Sequence, residues 1–233
     1  LSQLAASSAP AAPGIGRDRS LSALVGFELL AIFVFGPLAG VHDASRHVFV
    51  FNFCFIILAG LFAIARHTRP AKVLVALGAV LIPLQPVALY FGLLWLTTIH
   101  LLLFVAFLLL LSWIILVHVF RRSRINLHCI LGAVAVYLHL GLIFALLGTL
   151  LVLHVGDGAY SFAQPLEAEH VRLLSRMTYF SFTTLTSVGF GDITPVFPLA
   201  GSLANLEALC GQLFPAILLA RLVSMELESR HAE

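Results

Sequence analysis

The residues from Thr184 to Pro195, TLTSVGFGDITP, place two glycines one residue apart, Gly189 and Gly191, behind a run of hydroxyl side chains and ahead of a lone acid, Asp192. Groups of this kind suit the coordination of a dehydrated cation. A cation leaving water needs a substitute for its hydration shell, and rings of backbone carbonyl oxygens supply one without adding net charge. Carbonyls converge on one axis only in an unusual backbone. Glycine reaches positive φ without steric cost, so Gly189 and Gly191 permit what β-branched residues alone would not. Ser187 can add a hydroxyl oxygen at the inner end, while Asp192 at the outer end would concentrate cations and anchor the stretch to the helix before it. A plain glycine-rich turn would require neither the hydroxyls nor the acid.

The elements that must position this stretch are apolar. Of the 233 residues, 61% are hydrophobic and 10% charged, and the mean hydropathy is +1.05, which leaves too little polar surface to cover a soluble globule. The expected fold class is an all-α membrane protein. Apolar segments at 21–41, 47–65, 72–91, 93–120, 128–155 and 198–224 make six candidate transmembrane helices. Residues 172–186 form a helix too short to cross, so it must enter and turn back as a re-entrant pore helix between helices 5 and 6. Non-helical backbone at membrane depth persists only where it is buried in protein or lines a watery path, and this makes the glycine pair a functional signal.

Residues 1–20, rich in Ala, Ser, Pro and Gly, read as a flexible tail with no evident signal peptide. A four-helix region, 21–120, is followed by a linker, 121–127, a two-helix region with the re-entrant loop, 128–224, and a short tail, 225–233. Pro37, Pro83 and Pro86 should kink their helices or end them early. Cys54, Cys129 and Cys210 fall in different apolar stretches, so neither a disulfide nor a metal site is expected. No internal repeat is visible.

Orientation follows from the basic residues. With the N-terminus cytoplasmic, the inside carries Arg17, Arg19, Arg66, Arg69, Lys72, Arg121, Arg122, Arg124, Arg221 and Arg230, and the outside only Arg46, Arg172 and Arg176. The bias places both termini in the cytoplasm and opens the loop at 156–197 to the outside of the cell membrane.

The run Thr184–Asp192 closely resembles the potassium-channel signature TxxTVGYGD, with Ser187, Val188, Gly189, Phe190 and Gly191 in the place of TVGYG. The resemblance implies a potassium-selective filter whose permeant ion is bound by those five residues, with no other cofactor and no enzymatic reaction. Ser in place of Thr keeps the hydroxyl but loses a methyl that limits rotamers; Phe in place of Tyr loses a phenol that tethers the filter. Tyr179 and Phe180 fall where the family has a bracing aromatic pair, and Thr183 where some members have a Glu that pairs with the acid after the filter. Thr184 and Thr186 complete the support that the resemblance implies, together with Asp192. Gly211 lies at the spacing of the family's inner-helix hinge. The resemblance covers about 128–224 by motif, and 21–120 by helix count alone. It implies a homotetramer in a lipid bilayer and no nucleic-acid partner. A non-selective cation channel of the same architecture is the nearest alternative, and a secondary transporter built from broken helices is the alternative from another class.

Further residues carry expectations. The fourth span, 93–120, contains no Arg or Lys, so opening should depend weakly or not at all on voltage. Gly211 is equally a hinge or a site of close helix packing, and Pro215 one turn later favours a bend. Gln212, Pro215 and Leu219 share a helix face that would line a cavity below the filter; the plainer reading of Gln212 is a lipid-buried or interhelical amide. Glu28, His100, His139 and Glu207 are ionisable groups inside spans that should face protein or water, with Glu207 expected to pair with His139. Arg172 and Arg176 sit poorly at the positive end of the short helix's dipole and should be neutralised by Asp157, Glu167 or Glu169.

Overall fold

The structure, a computed structural model, describes residues 15–39, 43–63, 69–120, 127–163 and 170–231. Helix α1 (Ile15–Leu30) continues through a π-helical turn, Ala31–Phe35, into the short α2 (Gly36–Ala39). Pro37 accounts for the change of winding. It has no N–H to give, its ring crowds the carbonyl one turn back, and the helix answers by widening, with the Gly36 N–H donating to the Ala31 carbonyl. Then come α3 (Asp43–Ala63), α4 (Arg69–Phe91), α5 (Leu94–Phe120) and α6 (Leu127–Val155). Pro83 and Pro86 do not end α4, which runs past both; each is exposed, while Gln85 between them is buried.

After α6 the chain forms a strand, β1 (Tyr160–Phe162), then the short helix α7 (His170–Leu185), the filter-like segment, a second strand β2 (Ile193–Pro195) and the long α8 (Pro198–His231). By length and composition, five helices among the described residues can cross a membrane, carried by α1 with its extension, α4, α5, α6 and α8, and Phe51–Phe62 of α3 is a shorter apolar run. The fold is thus an all-α membrane architecture.

One continuous core joins the first helices to the last ones. Leu24 of α1, Ile56 and Ile57 of α3, Leu74 and Leu81 of α4, Phe107, Leu108 and Leu111 of α5, and Leu142 and Leu146 of α6 are all fully buried. Polar ties cross it. The Asn52 side-chain amide donates to the Phe27 carbonyl (2.9 Å), and the Cys54 thiol to Gln85 Oε1 (3.1 Å). His100 lines a cavity of about 90 Å³ between the early helices and α6, with Gln85, Thr97 and Thr149.

The expected pairing of Glu207 with His139 does not occur. His139 Nε2 lies 2.6 Å from Glu28 Oε1 on α1, and its Nδ1 lies 2.8 Å from Ser112 Oγ on α5. Glu207 faces the opposite way, towards α7. The reason is geometric: α6 packs on α1 and α5 along one side and on α7 and α8 along another, and His139 occupies the first side. All three members of the Glu28–His139–Ser112 chain are buried, so the ionisable groups face protein, as their cost in lipid demands.

Two glycines of α6 seat α7. A side chain at Gly141 would fall within 2.5 Å of the Phe182 ring, and one at Gly148 within 2.5 Å of the Met177 methyl. Their absence lets α7 lie against α6. Along α7, Leu173, Met177, Ser181 and Leu185 repeat every fourth residue and form the buried face. Ser175 fixes its upper half by donating to the Gly36 carbonyl (2.6 Å), and Ser181 its lower half by donating to the Gly141 carbonyl (2.6 Å).

Candidate functional site

The site begins where α7 stops. Past Leu185 the Ser187 N–H donates to the Thr184 carbonyl (2.9 Å) and the Val188 N–H to the Thr183 carbonyl (2.8 Å). This crossed pair is a Schellman closure, which requires a left-handed residue at the position of Ser187. Ser187 has φ +58°, the one positive-φ residue other than glycine among those described. Glycine usually fills this position. A serine here accepts a strain of about 1–2 kcal/mol in order to place a hydroxyl at the start of the segment. Thr183 acts through its backbone: its carbonyl also receives the Gly189 N–H (3.1 Å), while its hydroxyl donates to the Phe180 carbonyl. The Thr186 hydroxyl donates to the Phe182 carbonyl (2.6 Å).

Beyond this closure the sign of φ alternates. Ser187, Gly189 (+52°) and Gly191 (+79°) are positive, and Val188 and Phe190 between them are not. Uniform φ would wind the carbonyls around a helix, whereas alternation of hand turns successive peptides so that their carbonyls can share one side. Thr186 through Asp192 are all exposed in the single chain, and a methyl added at Gly189 or Gly191 would meet nothing within 4 Å. Within the single chain, backbone strain rather than crowding reserves both positions for glycine.

The C-terminal end of the segment is tethered twice. The Tyr179 ring stacks parallel on Phe190, with centroids 6.2 Å apart and planes 2° from parallel. Its phenol is hydrogen-bonded to Asp192, and desolvation, that bond and the Asp192 charge hold the phenol above its ordinary pKa. The aromatic pair therefore divides its labour. Tyr179 reaches the segment, whereas Phe180 turns into the protein and packs edge-on against Tyr160 at 5.3 Å. The second tether is the antiparallel pairing of β1 with β2, with Ser161 opposite Thr194, extended by the Ala163 N–H bonded to the Asp192 carbonyl (2.9 Å). Burial, and then Glu207, push the Tyr160 phenol up to about 12, so it stays neutral beneath this hairpin.

The N-terminal end of the segment meets α8. A side chain at Gly211 would place its first carbon 1.8 Å from the Leu185 carbonyl oxygen, so α8 and the end of α7 touch backbone to backbone. Of the two readings open for Gly211, close packing is the one this geometry displays. The Tyr137 hydroxyl approaches the same carbonyl from α6 at 3.5 Å. Gln212 Nε2 donates to Ser187 Oγ (2.8 Å). Pro215 and Leu219 are exposed on α8 together with Gln212, and α8 continues through Pro215 to His231.

Behind α7, Ser181 contacts the buried Glu207 as well as the Gly141 carbonyl. A hydroxyl has one hydrogen, and a backbone carbonyl has none to offer. Both contacts are hydrogen bonds when the Glu207 carboxyl carries the second proton. Glu167 and Glu169 lie outside the described residues, and the Asp157 side chain outside the described side chains, so their expected pairing with Arg172 and Arg176 lies there too.

Sequence reasoning missed the β1–β2 pairing, because strands of three residues carry no readable alternation. It also missed Gly141 and Gly148, whose seven-residue spacing on one helix face was the available sign of a seat for another helix.

Residues 136–228 match the family described as Ion channel. Over 109 residues the chain is 34% identical to Protein LctB of Bacillus caldotenax, covering 46% of this chain and 79% of that protein. The chain belongs to the ion-channel family. The chain is also similar to the Inward rectifier potassium channel Kirbac3.1 of Paramagnetospirillum magnetotacticum, 46% identical over 39 residues. That match covers 17% of this chain and 13% of the relative, so the chain spans about an eighth of that protein's length. No solved structure gives a significant match. The match to the ion-channel family takes in most of α6, all of α7, the filter-like segment and nearly all of α8.

Proposed function

We propose that this ion channel is potassium-selective and that each chain contributes one strand of a homotetrameric filter formed by Ser187, Val188, Gly189, Phe190 and Gly191. The observation that carries the reading is the alternation of φ from Ser187 to Gly191 on an exposed edge directly after a Schellman-closed helix. A single strand of carbonyls encloses nothing. Exposed polar backbone at membrane depth needs other copies of itself, or water, on its open side, and a ring of such strands offers both. Similarity to a relative named as a potassium channel supports the choice of ion.

In this reading α1, α3, α4, α5, α6 and α8 make six spans. The 21 residues of α3 extend about 31 Å, enough for the hydrocarbon core. Both termini face the cytoplasm and the hairpin faces outward, in keeping with the distribution of basic residues. Opening is weakly or not voltage-dependent, because α5 carries no Arg or Lys. Ions leave the cavity, exchange water for carbonyl oxygen and advance by mutual repulsion between neighbouring sites.

The test is a bilayer recording of the purified chain under opposed potassium and sodium gradients. The reading requires a reversal potential near that of potassium and little change of open probability between positive and negative voltages. A reversal potential near zero would instead make the protein a non-selective cation channel.

A further inference from the structure

Ser187 is held in an unusual way. At φ +58° a β-branched threonine would be strained, so serine is the residue that brings a hydroxyl to this position at lower cost. The gain has a drawback: without a γ-methyl, the Ser187 hydroxyl is free to change rotamer. Something outside the residue must orient it.

We propose that Gln212 is that positioning residue, fixing Ser187 Oγ as a ligand of the innermost ion site. The proposal rests on the potassium-filter reading above. A serine oxygen has two lone pairs. The Gln212 amide occupies one across 2.8 Å and so holds the oxygen in a single rotamer, leaving the other lone pair for an ion.

The amide stands on a rigid base. Its neighbour Gly211 lies against the Leu185 carbonyl, so α8 cannot drift from the end of α7 in this region. The Tyr137 hydroxyl approaches the same carbonyl from α6. The donor on α8 and the acceptor at the end of α7 are therefore fixed relative to each other by packing that does not involve the hydrogen bond itself.

The experiment is a double-mutant cycle on the reconstituted full chain, reading inhibition of potassium flux by barium added from the cytoplasmic side and the potassium-to-sodium flux ratio. Barium is a divalent cation close to potassium in radius, and it reports on ligands that an ion meets first from within. Gln212→Leu should weaken barium inhibition about five- to tenfold, the scale of one lost hydrogen bond, and lower the flux ratio. Ser187→Ala should do the same. The double variant should be no worse than either single one, since both remove the same ligand.

An equal effect of Gln212→Leu with and without the Ser187 hydroxyl would overturn the proposal and leave Gln212 as a wall of the cavity. Unchanged barium inhibition in Gln212→Leu would overturn it as well. Gln212→Met, unbranched and of similar length, provides the same comparison if the leucine variant does not assemble. Failure of the filter reading is distinguishable: the unaltered protein would then show no potassium-selective flux at all.

Discussion

Replacing Gly211 by alanine separates two views of the inner helix. The added methyl would lie 1.8 Å from the Leu185 carbonyl oxygen, 2.7 Å from its carbon and 3.0 Å from its Cα. All three are backbone atoms, so no side-chain rotation relieves the clash. Ordinary contact begins at 3.4 Å, so α8 or the end of α7 must retreat by about 1.6 Å. Overpacking of this kind costs about 3 kcal/mol, at the upper end of the usual range, because the yielding partner is main chain. Alanine's better helix propensity returns about 1 kcal/mol. The net loss of about 2 kcal/mol should lower the unfolding midpoint by roughly 4–8 °C. Gly201 on the same helix is the control, since a methyl there meets nothing within 4 Å and should stabilise slightly. Thermal unfolding of both variants in lipid nanodiscs, followed by helical circular dichroism, makes the comparison, with rubidium flux as the second readout. Selective flux should fall in Gly211→Ala because the retreat displaces the residue two before Ser187. If Gly211→Ala unfolds with the unaltered protein and only its opening rate changes, the contact argument is wrong and Gly211 is a hinge.

Gly189→Ala should preserve folding yet abolish selective flux, because the penalty is the left-handed backbone, about 1–2 kcal/mol, and not a collision; misfolding of this variant would contradict the open space around it. Tyr179→Phe keeps the stack on Phe190 but removes the bond to Asp192, so sustained potassium current should decay faster while assembly is unaffected, and single-channel recording tests this. Because that phenol's pKa is raised in the folded chain, its stabilising contribution is whole below about pH 10 and fades as pH rises through the raised value; a midpoint that fell instead on acidification through neutral pH would have another source. Glu207→Gln should be tolerated, since an amide N–H can replace the carboxyl proton towards Ser181, whereas Glu207→Leu should lower stability by about 1–3 kcal/mol in the same unfolding assay.

The sequence made the filter-like segment legible because its information is local. Paired glycines report positive φ directly, and Gly189 and Gly191 have it. The short helix before them was equally readable, since length alone forbids it to cross, and it ends at Leu185 within one residue of the expected position. What pairs across the fold was not readable. Helix spacing places His139 and Glu207 at similar depth but does not say which way each looks, and α6 turns His139 to Glu28 instead. Gln212 was readable as a polar group on an inner face, yet its bond to Ser187 depends on how closely α8 approaches α7, which Gly211 sets. The left-handed conformation of Ser187 was hidden for a different reason: helix closures of this kind usually announce themselves with glycine, and here a hydroxyl residue stands in that place.

The pairing of β1 with β2 has a mechanical consequence. Ile193 is held to Phe162 at one end, and Ser187 is locked into the closure of α7 at the other, so the intervening residues form a span of fixed length between two anchors. Such a span cannot fray, lengthen or slide in register. The motions left to it are rotations of single peptide planes in place, each exchanging a carbonyl for an N–H on one side of the strand, and one inserted or deleted residue between the anchors would have no slack to absorb it.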